Sequence, residues 1–249
     1  MSERGGRAGV ASAVLLAGVF LSGSGGPLYA SHFAWLGHGP CPWQEPQCED
    51  QAPTGFTALG QFVPTSHRVL DEASPEWAKG TPSEPLLSRE GRVIARVSPA
   101  FKTKLDEEGS ARLRDGRVVN LDDPVDGRPR YLVVRDAPFG IGAPGYKLIP
   151  YRTVAVDPKR IKLGTVLYVP ALAGIKLPTD EIHDGFCFAH DKSNDAARNE
   201  IDIFVGFDTD TEGALSHLVG GKAVRVYRVD PDTAAVLNRR FKRQFDFSG

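Results

Sequence analysis

Two carboxylates bracket one polar loop in the stretch FCFAHDKSNDAARNEIDIFVG, residues 186–206. Asp191 closes one apolar run and Asp202 opens the next. A loop that is only solvated needs no acid at either end. Two acids held close together do have a chemistry. If the flanking strands are neighbours, the cross-strand distance allows an approach of ~5 Å. Like charges that close disfavour joint ionisation, so one carboxyl keeps its proton toward neutral pH. A protonated carboxyl is what cleavage of a glycosidic bond requires. Asp195, inside the loop, is a spare candidate. The plain alternative is that Asp191 and Asp202 only cap loop amides. Spacing alone leaves both readings open.

Strand alternation refines this. Ile201, Ile203 and Val205 point to one face of IDIFVG, Asp202 and Phe204 to the other. Cys187, Ala189 and Asp191 share a face of small side chains, which would leave room for a ligand beside the acid. Cys187 and His190 point in opposite directions, so they form no thiol–imidazole pair, and Cys187 is expected in the core. His183 and His190 also fall on opposite faces, while His183 and Asp191 would lie ~26 Å apart along a straight strand. No metal site is expected from these residues. There is no GxSxG, P-loop or dinucleotide-binding glycine pattern. No cofactor is implied.

The elements that must position the loop are mostly short. GRVIARVS alternates as a half-buried strand does, and SPAFKTKLDEEG reads as a helix with Ser98 as N-cap, Pro99 in the first turn and Gly109 as the stop. ARLRDGRVVNL predicts a hairpin around Asp115-Gly116. Strands are expected at YLVV, RTVAVD, GTVLYVPAL, GFCFAH, IDIFVG and AVRVYRVD. DAPFGIGAPGYKLIP is a long Gly/Pro loop of the kind that often carries function. Asp157 is expected to cap a single turn, PKRI. In 53–90, GFTALGQFV suggests a strand, whereas SHRVLDEASPEWAKGTPSEP suggests loop with a turn of helix. TDTEGALSHLVGG suggests a short helix ending at Gly220, and the tail from 230 to 249 a basic amphipathic helix. Many short strands with polar links indicate a mainly β fold with a small closed barrel.

The 249 residues suffice for one sizeable core, and a formal net charge of −1 offers no basic excess for a phosphate backbone, so nucleic acid is not an expected partner. Residues 1–30 read as an export signal. Arg4 and Arg7 precede the apolar run Val10–Leu21, with cleavage expected after Ala30. That run is shorter than the ~20 residues that span a bilayer, so no stable membrane span is expected after cleavage. Residues 31–53 form a Pro-rich leader in which Cys41 and Cys48 could pair or stay reduced.

TVAVDPKRIKLGTVLYVPAL, then HDGFCFAHD, then NEIDIFVG, resembles the three-aspartate (3D) domain, which closes the lytic transglycosylase A family. The three name-giving aspartates fall on Asp157, Asp191 and Asp202. The resemblance is best over residues 91–206 and extends more weakly over 54–229. It implies a double-psi β-barrel of six strands whose groove binds peptidoglycan glycan strands. It places Asp191 as the acid/base of a lytic transglycosylase and Asp202 beside it in catalysis, and implies an exported protein of the periplasm or cell envelope. Asp157, Asn194 and Arg198 are the candidate substrate-binding residues. Where the family has Gly-Gly after the second aspartate, this chain has Ser193-Asn194, and where it has Lys-Gly, Ala197-Arg198. Those departures keep two alternatives in view: a non-catalytic glycan-binding barrel and an inverting glycoside hydrolase.

Overall fold

A computed structural model describes residues 53–143, 145–193, 199–207 and 213–244. The expected signal, the leader with Cys41 and Cys48, and the end of the tail lie outside the described residues. Strand β1 (Thr57–Asp71) is 15 residues long and crosses two cores. Phe62, in its first half, packs into one; Leu70, near its end, packs into the other. The short elements β2 (Glu84–Leu87), β3 (Val93–Val97), α1 (Pro99–Glu108), β4 (Ser110–Arg112), β5 (Val118–Val125) and β6 (Arg128–Val134) follow. After a long loop come β7 (Thr153–Val156), β8 (Val166–Tyr168), β9 (Phe186–Lys192), β10 (Glu200–Phe207), β11 (Val224–Arg228) and α2 (Pro231–Gln244).

Six strands close on themselves in the order β10-β7-β9-β8-β11-β1, with β1 pairing back onto β10. The fold is therefore mainly β, built on a closed six-stranded barrel. The β1–β10 and β7–β9 pairs are parallel, the other four barrel pairs antiparallel. Alternation fills the barrel with Val154, Val156, Cys187, Ala189, Ile201, Ile203, Val205 and Val226. Cys187 is fully buried there, and burial pushes its thiol up to about 12, so it stays a neutral packing residue.

Past the barrel, β1 continues alongside β4, β5 and β6. The α1 helix and the β2–β3 hairpin cover this extension through Leu86, Val97, Phe101 and Leu105. The ends of α1 are those the sequence predicts. Ser98 Oγ accepts from the Phe101 N–H at 3.3 Å and Gly109 adopts φ 81°; such an N-cap is worth about 1 kcal/mol. The tail helix α2 sets Leu237 and Phe241 against Val166, Phe186 and Phe188 on the outside of the barrel. Arg152 and Arg240 both reach Asp184, the second at 4.0 Å, which ties α2 to the turn before β9.

Two expectations are corrected. The stretch from Ser66 to Asp71 is not loop but the second half of β1. Its alternation is interrupted by a register shift between His67 and Val69, where the strand passes from one core to the other. Residues 213–220 form successive turns, with Gly220 at φ 70°, rather than a helix. Among the described residues no helix is long and apolar enough to cross a membrane, a statement that does not bear on membrane-spanning strands.

Candidate active site

The two aspartates are not on adjacent strands. β7 lies between β9 and β10. Asp202 pairs with Ala155 on one side of β7 and Asp191 pairs with Ala155 on the other. Thr65 on β1 pairs with Asp202. One lateral row thus runs Thr65, Asp202, Ala155, Asp191 across four strands. Residues paired across a sheet share a face, so both acids stand over the small side chain of Ala155. The condition for a ~5 Å approach, neighbouring strands, is not met; two strand spacings of ~4.8 Å separate the backbones.

Asp191 reaches this face through an irregularity. The β7–β9 register shifts between Val154 and Ala155, so that Ala189 and Asp191 pair with consecutive residues and His190 is left over. Such an extra residue reverses the alternation beyond it. Asp191 therefore leaves the interior face of Cys187 and Ala189, where strict alternation had put it, and joins Asp202 on the outer face. His190 stacks on Tyr146 with ring centroids 4.2 Å apart and an interplanar angle of 8°. Burial pushes the His190 imidazole down to about 4.

The Gly/Pro loop between β6 and β7 covers the acid. Asn120 on β5 is buried and holds the loop as a strand neighbour would. Its Oδ1 accepts from the Ile141 N–H at 3.1 Å and its Nδ2 donates to the Ile141 carbonyl at 2.6 Å and to Ser110 Oγ at 2.8 Å. That places Ala143 to donate its N–H to Asp191 Oδ1 at 3.0 Å, while the Lys192 N–H donates to the same oxygen at 2.8 Å. Gly142 lies so close that a Cβ there would sit 2.5 Å from the His190 carbonyl oxygen and 3.0 Å from Asp191 Cβ and Cγ. The loop needs glycine here for close approach.

His67 completes the cluster, and the sequence reading passed over it. Its Nδ1 lies 3.2 Å from Asp202 Oδ2 and its Nε2 3.8 Å from Asp191 Oδ2, so one imidazole touches both carboxylates. Thr65 Oγ1 donates to the other Asp202 oxygen at 2.8 Å. Both His67 nitrogens are shielded from solvent and neither contact is a well-aligned hydrogen bond. Burial alone would lower the His67 pKa. The polar contact with Asp202 and the negative charges of Asp202, Asp191 and Glu108 outweigh burial and raise it above the ordinary value. No local signal marks it: His67 sits in the polar run Thr65-Ser66-His67-Arg68, which has no period-two alternation.

The remaining candidates lie at the edge. Asp157 follows β7 and caps the next turn, as expected, with Oδ1 accepting from the Lys159 N–H at 2.9 Å. Ser193 donates its N–H to the Val156 carbonyl at 3.0 Å, so the 193–199 loop starts beside Asp157. Asn194, Asp195 and Arg198 lie outside the described residues. His183, fully buried, donates from Nε2 to the Tyr151 carbonyl and accepts the Gly185 N–H at Nδ1, the arrangement of a neutral turn residue. Burial, with the Arg152 charge adding to it, pushes its pKa down to about 4.

The closed six-stranded barrel thus carries a carboxylate–imidazole–carboxylate cluster on its outer face. Residues 152–230 match the family model of the 3D domain. The matched segment holds β7 to β11 together with Asp157, Asp191 and Asp202; β1 and His67 precede it. Among solved structures the chain is similar to E. coli MltA with bound chitohexaose, at 14% identity over 71% of this chain and 77% of that chain, TM-score 0.48. It is also similar to the membrane-bound lytic murein transglycosylase of Agrobacterium tumefaciens, at 14% identity over 75% and 77%, TM-score 0.42. A third is the lytic transglycosylase LtgG of Burkholderia pseudomallei, at 16% identity over 68% and 71%, TM-score 0.39. No curated protein matches the sequence.

Proposed function

We propose that this protein is an exported peptidoglycan lytic transglycosylase of the periplasm or cell envelope, built on a double-psi barrel, with Asp191 as its acid and base. The observation that carries this reading is the seat of Asp191 within the 3D domain. It stands at the end of a strand, 24% exposed, under a loop whose backbone fixes one of its oxygens. Oδ1 is occupied by two amide hydrogens, so the proton to be donated is carried on Oδ2.

Asp191 then donates that proton to the oxygen leaving C1 of N-acetylmuramic acid, as positive charge builds on the sugar ring. As a carboxylate it takes the proton of the sugar's own C6 hydroxyl, which attacks C1 and closes a 1,6-anhydro ring. One carboxyl serves both steps because the nucleophile is already part of the bound sugar. Asp202 anchors the imidazole beside it. Asp157, Asn194 and Arg198 are the residues assigned to binding the glycan. No cofactor enters the reaction.

An inverting hydrolase needs ~6.5–9.5 Å between two carboxyls, with a water in the gap. Here the His67 imidazole contacts both acids from between them, which favours the single-acid mechanism. The test is to incubate the mature chain and Asp191→Asn with purified peptidoglycan and weigh the released sugars by mass spectrometry. Asn keeps an acceptor for Ala143 and Lys192 but has no proton to give. General acid catalysis contributes about 10²–10⁴-fold, so release of anhydro ends should fall by that factor with the melting temperature little changed. Release of reducing ends would make the protein a hydrolase. Binding to peptidoglycan without release would make it a glycan-binding barrel.

A further inference from the structure

His67 lies on β1, before the segment that matches the 3D domain, and its ring feels negative groups on three surrounding elements. Asp202 on β10 is 3.2 Å from Nδ1 and Asp191 on β9 is 3.8 Å from Nε2, while Glu108 at the end of α1 adds a more distant negative charge and itself pairs with Lys104 at 3.0 Å. The ring packs against Phe204 with centroids 5.3 Å apart. Asp202 cannot turn away, because Thr65 Oγ1 holds its second oxygen. A neutral imidazole would offer one hydrogen to two carboxylates. An imidazolium offers one to each. Resting on the reading of Asp191 as the acid, we propose that His67 is a positioning and proton-holding residue, an imidazolium anchored by Asp202 that keeps the transferable proton beside Asp191 Oδ2.

The proton then follows a closed circuit. It passes from His67 Nε2 to Asp191 Oδ2, leaving a neutral ring whose Nδ1–H still faces Asp202. Asp191 delivers it to the glycosidic oxygen as the C1–O bond breaks. The C6 hydroxyl forms the new C1–O bond, and its proton goes to Asp191 Oδ2 and back to Nε2. No proton is gained or lost over the cycle. The 3.8 Å contact must shorten as substrate binds for the proton to pass, as catalytic hydrogen bonds do. The burial of Nε2 and Nδ1 keeps bulk water from taking the proton first.

Two measurements test this. In the first, the imidazoles of uniformly ¹⁵N-labelled protein are titrated by NMR, with the His67 signal assigned through bonds and by its loss in His67→Gln. His67 should titrate above the free histidine value of about 6.5 and move down by ~1 unit or more in Asp202→Asn, where burial is no longer outweighed. A His67 ring that is neutral throughout pH 5–8, or unmoved in Asp202→Asn, overturns the proposal without reference to activity. In the second, kcat/KM on soluble glycan strands is followed against pH. Its alkaline limb should coincide with the His67 titration, shift to lower pH with it in Asp202→Asn, and vanish in His67→Gln along with about 10–10² of activity. A structural role would lower activity evenly at all pH values and leave the limb in place. A fixed limb alongside an inactive Asp191→Asn overturns the role of His67 alone; activity that survives Asp191→Asn overturns this role and the functional reading together. If His67→Gln does not fold, wild type and Asp202→Asn still decide.

Discussion

Asp191 and Asp202 share a backbone neighbour, Ala155, and a side-chain neighbour, His67. The pairing through Ala155 holds the acids two strands apart, and the imidazole fills the electrostatic gap between them. Their mutual repulsion is therefore answered by a cation rather than by one of the pair keeping its proton. Any change to Asp202 reaches Asp191 through that ring.

Gly142 tests the fit of the covering loop. In Gly142→Ala the new methyl meets a backbone carbonyl at 2.5 Å and the Asp191 side chain at 3.0 Å, and the carbonyl has no rotamer by which to yield. The loop must lift, which breaks the Ala143 N–H contact to Asp191. Overpacking of this kind costs about 1–3 kcal/mol. Glycan turnover should fall more than tenfold, with a denaturation midpoint lowered accordingly. A variant with wild-type kcat/KM would show that the loop does not set the acid.

Asn120 tests the same loop from its far side. Asn120→Ala removes two bonds to the Ile141 backbone and one to Ser110. Orphaned buried polar groups cost about 1–3 kcal/mol each, so urea unfolding should show a loss at the upper end of that range or beyond. Asn120→Asp keeps the acceptor for the Ile141 N–H but turns an oxygen toward the Ile141 carbonyl. It should recover only part of the stability.

Stability against pH should fall on both sides of neutrality for different reasons. His183 and His190 have folded pKa values pushed down to about 4. Such groups stabilise fully above the unfolded value of about 6.5 and lose that contribution as pH falls toward 4. For the fully buried His183 the loss is on the order of 3 kcal/mol. His67 is raised, so its contribution is complete below about 6.5 and is lost as pH climbs through the raised value. Melting temperature should decline from pH 6.5 to 4, and the decline should be shallower in His183→Asn, which starts lower at neutral pH. Parallel curves for the two proteins would remove His183 from the account.

Local signals were legible in the sequence where one neighbourhood decides the outcome. Ser98, Pro99 and Gly109 fix both ends of α1, Asp115-Gly116 turns the β4–β5 hairpin, and Asp157 caps its turn. The second half of β1 was not legible. It serves two cores in succession, and its alternation breaks at the register shift beyond His67. The orientation of Asp191 was hidden for a related reason, since one unpaired residue, His190, inverts every face after it. His67 was missed because its partners are more than 120 positions away in the chain, and a barrel closure brings them together where no local pattern can.

The central claim is that Asp191 cleaves glycan by recruiting the sugar's own hydroxyl instead of water. Digestion of peptidoglycan by the mature chain in H₂¹⁸O, followed by mass spectrometry of the muramic acid ends, tests this directly. The account predicts anhydro ends that carry no ¹⁸O in wild type and no comparable release by Asp191→Asn. Ends that each carry one ¹⁸O would mean that water attacks C1, and would contradict it.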